Sequence, residues 1–94
     1  MKVRWTATAR LDRLDIMDHI AADNPGAAAR IDRLFSDAAA SLADFPMRGR
    51  PGLVPGTREV FPHETYRLVY EVENDTVWIL TLLHTARQWP PLRE

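Results

Sequence analysis

The chain has 94 residues, of which 46% are hydrophobic, so it forms one domain with a thin core, because a chain of this size buries only about two-thirds of its unfolded surface. Its 12 Lys and Arg against 13 Asp and Glu give a net charge of −1. This balance lacks the basic excess typical of nonspecific nucleic-acid binding, and we expect no direct sequence-specific binding to nucleic acid either. The absence of cysteine excludes disulfides, thiolate catalysis and Cys-based zinc sites.

The N-terminal segment predicts a short strand at the edge of a sheet. Residues Lys2–Trp5 alternate polar and apolar side chains, and Thr6 follows as a helix cap. Residues Met1–Trp5 contain no apolar leader region, and no apolar run in the chain approaches the roughly 18 residues that a membrane span needs. We therefore expect a cytoplasmic protein without a membrane partner.

Two helices are predicted next. The apolar residues of Ala7–Ala22 fall on two stripes, which predicts a helix that contacts two neighbours. The first stripe contains Ala7, Leu11, Leu14 and Ala21, and the second contains Ala9, Ile16 and Ile20. Three polar residues are expected to face water between the stripes, namely Asp12, Asp15 and His19. Asn24-Pro25 then ends this helix and starts the next, since Asn is a good cap and Pro fits the first helical position.

The second helix is predicted to pack along one side. Its apolar residues recur three and four positions apart, at Ala28, Ile31, Phe35, Ala38, Leu42 and Phe45. Pro46 ends it. Residues 46–56 contain three prolines and three glycines, a composition that predicts a rigid surface loop.

Strand patterns fill the rest of the chain. The predicted strands are Arg58–Phe61, Tyr66–Val72 and Thr76–His84, with turns at Pro62-His63-Glu64 and Asn74-Asp75. The last strand is apolar on both faces and is expected at the centre of the sheet. This order of a short strand, two helices and a three-stranded antiparallel sheet predicts an α+β fold in a single domain of residues 1–94, with the helical hairpin on one face.

Several short motifs along the chain resemble the RelE/ParE superfamily of bacterial toxins, and its ParE branch in particular. They are Trp5-Thr6, the Asp12, Ile16 and His19-Ile20 rhythm, Asn24-Pro25 with Ala28, Phe45-Pro46 with Gly49-Arg50, Gly56 with Arg58-Glu59, Tyr66-Arg67-Leu68-Val69-Tyr70, and His84 with Arg87 and Trp89-Pro90. No single motif is specific, but together and in this order they cover nearly the whole chain.

The resemblance implies the toxin of a type II toxin–antitoxin system, neutralised by a ParD-like antitoxin whose C-terminal segment folds as it binds. In the ParE branch the usual target is DNA gyrase, which is stalled while DNA is cleaved. In the RelE branch the target is messenger RNA, cut in the ribosomal A site. Both branches share one fold, so the fold does not choose between them, and a degenerate member that binds its antitoxin without toxicity is a third possibility.

The chemistry of RNA cleavage favours the gyrase branch. Cleavage through the 2′-hydroxyl needs a base, an acid and cations for the phosphate. Arg67 matches an arginine of the nuclease branch, whereas the only lysine is Lys2, so no lysine base is available. Arg67 has two open interpretations, a phosphate-binding cation or an ion pair with Glu59 or Glu71 on the sheet.

The end of the last strand supplies three further candidates for binding a partner or target. A histidine at the position of His84 suits acid–base chemistry near neutral pH and, more commonly, a structural hydrogen bond. Arg87 and Trp89 are of the residue types enriched at binding hot spots. The alternative for Trp89 is packing onto the helices, because tryptophan buries a large area.

The proline-rich loop contributes the remaining candidates. Arg48 and Arg50, with Arg58, form a possible basic patch for phosphate or for acidic residues of the antitoxin, and a solvated loop is the commoner outcome. The three histidines lack metal-ligand spacing, and neither a serine nucleophile motif nor a phosphate-binding loop is present, so we expect no metal, no cofactor and no catalytic residue of those classes.

Overall fold

A computed structural model that describes residues 1–90 has the predicted α+β order of elements. The elements are β1 (Lys2–Trp5), α1 (Ala7–Asp23), α2 (Pro25–Ser41), β2 (Arg50–Pro51), β3 (Thr57–His63), β4 (Tyr66–Glu73) and β5 (Thr76–His84). Residues 91–94 of the predicted domain lie outside the described range. No helix among the described residues is both long enough and apolar enough to cross a membrane.

The strands form one sheet in the order β1-β5-β4-β3-β2. Strands β3, β4 and β5 pair antiparallel, as predicted, and β5 is an interior strand, because β1 pairs with it in parallel on the side away from β4. The sequence did not predict β2, since Arg50–Pro51 is too short to show an alternation, and it extends the sheet to five strands. The pairing register of β4 and β5 shifts between two neighbouring residues of β4: Val69 is opposite Thr81, whereas Tyr70 is opposite Ile79.

Local hydrogen bonds explain where the helices and the hairpin begin. The Thr6 side chain accepts a hydrogen bond from the Ala9 N–H at 3.1 Å, and Asn24 Oδ1 accepts one from the Ala27 N–H at 3.0 Å. Both side chains thereby satisfy donors that have no partner inside their helices. Asn74 has φ 57°, as its tight turn between β4 and β5 requires. These predictions are confirmed.

The core lies between the helices and one face of the sheet. Its fully buried side chains include Phe35 of α2 and Leu42, the C-cap of that helix, and both belong to the same cluster as residues of β3, β4 and β5. Phe45 was expected on the same seam but is 65% exposed, because α2 ends at Ser41 and the helical periodicity stops there.

Helix α1 differs from the prediction of two buried stripes. Ala9 is buried and Ile16 is half-buried against the core, but Leu11 and Leu14 of the other stripe are 61% and 59% exposed. Helix α1 does contact two neighbours, α2 and β5, as expected, but Leu11 and Leu14 of this stripe stay mostly open. Asp12, expected in water, instead contacts β5.

Candidate functional site

The face of the sheet opposite the core carries a buried carboxylate between two arginines, which we call the Glu59 cluster (Glu59, Arg50 and Arg67). The Glu59 side chain is 3% exposed. Its Oε1 lies 3.6 Å from Arg67 Nη1 and 3.4 Å from Arg50 Nη2. Of the two pairings left open for Arg67, the structure therefore has the one with Glu59, and the ion pair gives the buried carboxylate the partner it needs.

Arg67 also connects the sheet to the segment that follows β5. Its side chain is only 12% exposed, and its guanidinium donates a hydrogen bond to the Arg87 backbone carbonyl. Its Nε is buried and has no hydrogen-bond partner among the described residues. Most of this guanidinium is thus held by the protein itself, which leaves little of it to meet an external phosphate.

Arg48 in the loop, Arg50 on β2 and Arg58 on β3 each have a separate partner and do not point to one shared anion. Arg58 donates to the Gly49 carbonyl at 2.7 Å and to the Met47 carbonyl at 3.4 Å, so it holds the loop against β3. Arg48 donates to Ser41 Oγ at the end of α2. Arg50, 64% exposed, lies over the Phe61 ring with its guanidinium carbon 4.8 Å from the ring centroid.

Tyr70 fixes this loop from inside the core. Its hydroxyl donates to the Pro46 carbonyl and accepts from the Gly49 N–H, both at 2.8 Å. A Cβ atom at position 49 would lie 2.7 Å from the Tyr70 hydroxyl oxygen and 2.9 Å from the Glu59 carbonyl oxygen, so the close approach requires glycine. Sequence reasoning placed Tyr70 only on a strand face and missed this role, although a buried tyrosine generally needs a partner for its hydroxyl.

The candidates at and just after the end of β5 come together beside α1, and we call this region the C-terminal surface (His84, Arg87 and Trp89). His84 is exposed, its Nδ1 accepts a hydrogen bond from the Ala86 N–H at 3.1 Å, and its ring meets Tyr66 edge-on at 6.1 Å. Two neighbouring grooves of about 380 and 250 Å³ share Asp12 and Arg87 in their walls, the larger lined by Trp89 and the smaller by His84.

Trp89 is half-buried, so it is neither fully open to a partner nor fully packed onto the helices. It lines a groove together with Thr6 and Thr8 at the start of α1, so part of the ring packs against the protein and the rest stays open to a partner. Arg87 is exposed, and only its backbone carbonyl is bound by Arg67. Within residues 1–90, no three His, Asp or Glu side chains lie close enough to hold a metal ion.

Asp12 is a structural residue of this region that sequence reasoning assigned to water. Its Oδ2 accepts hydrogen bonds from Thr81 Oγ1 at 2.6 Å and from the Leu82 N–H at 3.1 Å. Strand β1 ends at Trp5 opposite Ile79, so the edge of β5 beyond that point has no strand partner in the described chain. Asp12 closes this exposed edge and docks α1 onto it.

A larger groove lies at the other side of α1, where β1 meets the helical hairpin. Its volume is about 870 Å³, and its walls come from β1, α1, α2 and Trp78 of β5. Arg13 forms one wall: its guanidinium carbon lies 4.8 Å from the centre of the Trp5 ring, and its Nε donates to Asp32 Oδ1 at 2.6 Å. We call it the β1 groove. Its residues come from four elements, so no local sequence pattern predicts it.

Comparisons with known proteins match this architecture. A family model described as ParE toxin of type II toxin–antitoxin system, parDE, matches residues 3–89. Protein Y4kP of Sinorhizobium fredii, whose name describes it as a toxin, is 43% identical over 91 residues, which cover 95% of this chain and 93% of that protein. Toxin RelE2 of Caulobacter vibrioides is 38% identical over 87 residues, which cover 92% of this chain and 97% of that one.

Two solved structures share the fold. The structure titled chromosomal ParDE TA system from P. aeruginosa has a TM-score of 0.78 at 24% identity and covers 89% of this chain and 95% of its own. The YoeB/ParE toxin from Agrobacterium tumefaciens has a TM-score of 0.63 at 17% identity, with 89% and 98% covered. The family model and the two relatives span nearly all of the sequence, and the chain therefore belongs to the ParE toxin family of type II toxin–antitoxin systems.

Proposed function

We propose that this ParE-type toxin arrests growth by binding and poisoning DNA gyrase in the cytoplasm, and that a ParD-like antitoxin neutralises it. Membership of the ParE family supports a growth-inhibiting toxin, and the P. aeruginosa neighbour is titled as a ParDE system, which supports an antitoxin of the ParD kind. In this proposal the toxin acts by binding and performs no chemistry of its own.

The observation that carries the choice of target is the state of the Glu59 cluster. A ribonuclease of this fold needs free cations and a base at the reacting phosphate. Here Arg67 is bound to Glu59 and to the Arg87 carbonyl. The only lysine in the sequence is Lys2 on β1, and β5 separates that strand from β4, which carries Arg67. The residues that would cleave RNA are thus either engaged internally or missing.

The C-terminal surface is our proposed contact with gyrase. Arg87 and His84 are exposed and Trp89 is half-buried, and all three lie beside α1, at the end of β5 or just after it. Arginine and tryptophan anchored next to a groove are the usual composition of binding hot spots. The loop residues Arg48 and Arg50 lie at the β2 side of the sheet and serve in this proposal as a second, weaker contact with gyrase or with the antitoxin.

The test is a purified gyrase assay with ATP and plasmid DNA that reads both supercoiling and trapped double-strand cleavage. We expect linear DNA to accumulate with toxin dose. Arg87→Ala should require at least about tenfold more toxin, since truncating a hot-spot residue costs 2 kcal/mol or more. Arg33→Ala is the matched control, because Arg33 is an exposed arginine on α2 that lines neither groove of this surface.

Two results of this assay would contradict the proposal, one for the target and one for the contact surface. If gyrase is unaffected at concentrations that stop cell growth, the gyrase target is wrong, whatever the effect of Arg87→Ala. If gyrase is poisoned but Arg87→Ala and Trp89→Ala behave like Arg33→Ala, the target stands and the C-terminal surface is not the contact.

Ribosome-dependent cleavage of messenger RNA is the second candidate, because a relative that is 38% identical is named Toxin RelE2. Primer extension on messenger RNA bound to ribosomes measures it directly. Under our proposal the toxin gives no cleavage. Cleavage that Arg67→Ala abolishes in a folded protein would establish the nuclease function instead.

A further inference from the structure

The segment that follows β5 is fixed through its backbone N–H groups, and one of these groups is bound by a titratable side chain. The Thr85 N–H donates to the Thr65 carbonyl at 2.8 Å, and the Arg87 N–H donates to the His84 carbonyl at 2.9 Å. Between them, the Ala86 N–H donates to His84 Nδ1 at 3.1 Å. Three consecutive N–H groups are thus bound, two by backbone carbonyls and one by an imidazole ring.

The hydrogen bond to Ala86 requires a neutral His84 ring. A ring nitrogen accepts a hydrogen bond only while it carries no proton, and both nitrogens of a charged imidazole are donors. A proton on Nδ1 would therefore set one donor against another at the Ala86 N–H. Histidine is the side chain whose ordinary charge change falls between about pH 5 and 8. The bond is present in weakly basic solution and is lost as the pH falls.

Helix α1 offers the charged ring another partner. The titratable and charged residues that line the small groove beside His84 are Asp12, Asp15, His19, Tyr66 and Arg87. Asp12 is already bound to β5 through its Oδ2. Asp15 is exposed and forms no ion pair with another described residue, so it attracts a protonated His84. Arg87 and a protonated His19 repel that ring, which favours its rotation toward Asp15.

His63 forms the same local bond in a different electrostatic setting. Its Nδ1 accepts a hydrogen bond from the Thr65 N–H at 3.0 Å, again two residues further along the chain. The groove beside His63 has Arg30 and Arg33 in its walls, and no carboxylate is among the described residues that line it. The turn at His63 also carries no residue of the C-terminal surface. This histidine therefore serves as an internal comparison for His84.

We propose that His84 is a positioning residue and a pH-sensitive switch for the C-terminal surface. In the neutral state its ring holds the Ala86 N–H, and with it the backbone that presents Arg87 and Trp89. In the protonated state the ring releases Ala86 and turns toward Asp15, and the segment loosens. The consequence for gyrase, weaker binding in mild acid, rests on the proposed function, whereas the switch itself does not.

Nuclear magnetic resonance of the free toxin tests the switch without gyrase. The Ala86 amide proton should shift upfield along the titration curve of the His84 ring, because the amide loses its acceptor. Protection of this amide against exchange with water should fall at least about fivefold between about pH 8 and about pH 5.5, the size expected for one hydrogen bond. If the Ala86 amide stays unchanged while His84 gains its proton, the switch is wrong.

A matched pair of histidine variants separates the switch from a merely structural role. In His84→Asn the amide oxygen can accept from the same N–H two residues on without titrating, as in an Asx-turn. Protection of Ala86 should then differ less than twofold between the two pH values. His63→Asn, the same change in the comparison turn, should retain the full pH response of Ala86. A response that persists in His84→Asn, or disappears in both variants, would overturn the inference.

A second matched pair carries the test if His84→Asn misfolds. Asp15→Asn removes the carboxylate that attracts the charged ring, so half of the change at Ala86 should be reached at a lower pH than in the unaltered toxin. Asp18→Asn is its control, because Asp18 is exposed on the same helix and does not line the groove. Equal pH responses of these two variants would mean that Asp15 does not receive the ring.

The affinity for purified gyrase shows whether the switch controls target binding. The unaltered toxin should bind at least about fivefold more weakly at about pH 6 than at about pH 8, and His84→Asn should reduce this ratio to less than twofold. His63→Asn should keep the ratio of the unaltered toxin. If His84→Asn also keeps it, the switch does not control target binding. If the toxin fails to bind gyrase even at about pH 8, the proposed function is wrong, and the Ala86 amide alone decides the switch.

Discussion

The Glu59 cluster and the β1 groove both contain arginines, and they differ in what surrounds the positive charge. In the cluster, Arg67 is 12% exposed and faces a buried carboxylate. At the groove, Arg4 and Arg10 are exposed and have no acidic partner among residues 1–90. Arg67, which lies in the strand motif shared with the toxin family, therefore mainly stabilises the fold. Arg4 and Arg10 lie outside that motif, and their side chains are free to bind.

The largest expected effect comes from removing the carboxylate of the Glu59 cluster. Glu59→Gln should lower the free energy of unfolding by about 3 kcal/mol, because breaking a buried ion pair leaves the Arg67 charge buried and uncompensated. Urea denaturation measures the loss. The control is Glu71→Gln on neighbouring β4, where the residue is half-buried and forms no ion pair with the described residues.

The control should change the free energy of unfolding by less than about 0.5 kcal/mol, as most surface substitutions do. If Glu59→Gln costs no more than Glu71→Gln, the Glu59 cluster contributes little to the fold. Arg67 would then be available for phosphate, and the comparison between the two arginine groups would fail.

The next effect concerns the loop that brings Arg50 to Glu59. Tyr70→Phe should cost about 2 kcal/mol, since it leaves the buried Gly49 N–H and the Pro46 carbonyl without partners. Amide exchange at Gly49 should accelerate in parallel. Tyr66→Phe removes the same atom from a half-buried ring on the same strand, and unchanged exchange at Gly49 is expected there.

Periodicity and caps predicted the fold well because both are local. Asn24 caps α2 and Asn74 forms the hairpin turn because of contacts within a few residues of each. Phe45 followed the same helical spacing but lies beyond the end of α2, and the position of that end was not predictable from spacing alone. Strand β2 was missed for a related reason, since two residues cannot display an alternation.

The candidate site was less predictable because it depends on contacts far apart in the chain. Asp12 occupies the position of a solvated helix residue in the sequence, yet it contacts Thr81 and Leu82, 69 and 70 positions away. Leu14 looks like a core residue in the same pattern and is 59% exposed. The orientation of α1 decides the contacts of Asp12 and the exposure of Leu14. This orientation follows from the docking of the helix on the edge of β5.

A smaller effect is expected where an arginine is only partly buried. Arg13→Met should cost about 1 kcal/mol, because its ion pair with Asp32 is screened by solvent, with side-chain exposures of 23% and 41%. A double-mutant cycle with Asp32→Asn isolates the pair and should give a coupling energy of about 0.5–1 kcal/mol. A coupling as large as the loss from Glu59→Gln would remove the distinction between the two groups of arginines.

The smallest effect on stability is expected at the β1 groove. The double variant Arg4→Gln with Arg10→Gln should change the free energy of unfolding by less than about 0.5 kcal/mol. Both residues are exposed and form no ion pair within residues 1–90. Removing charges at the rim of an interface mainly slows association and weakens its dependence on salt. Surface plasmon resonance at low and high salt should therefore find a several-fold slower association with the antitoxin at low salt, a flatter salt dependence, and a dissociation rate close to that of the unaltered toxin. An unfolded double variant, or an association rate that keeps its full salt dependence, would mean that these arginines belong to the fold or face away from the partner, and the contrast with the Glu59 cluster would be lost.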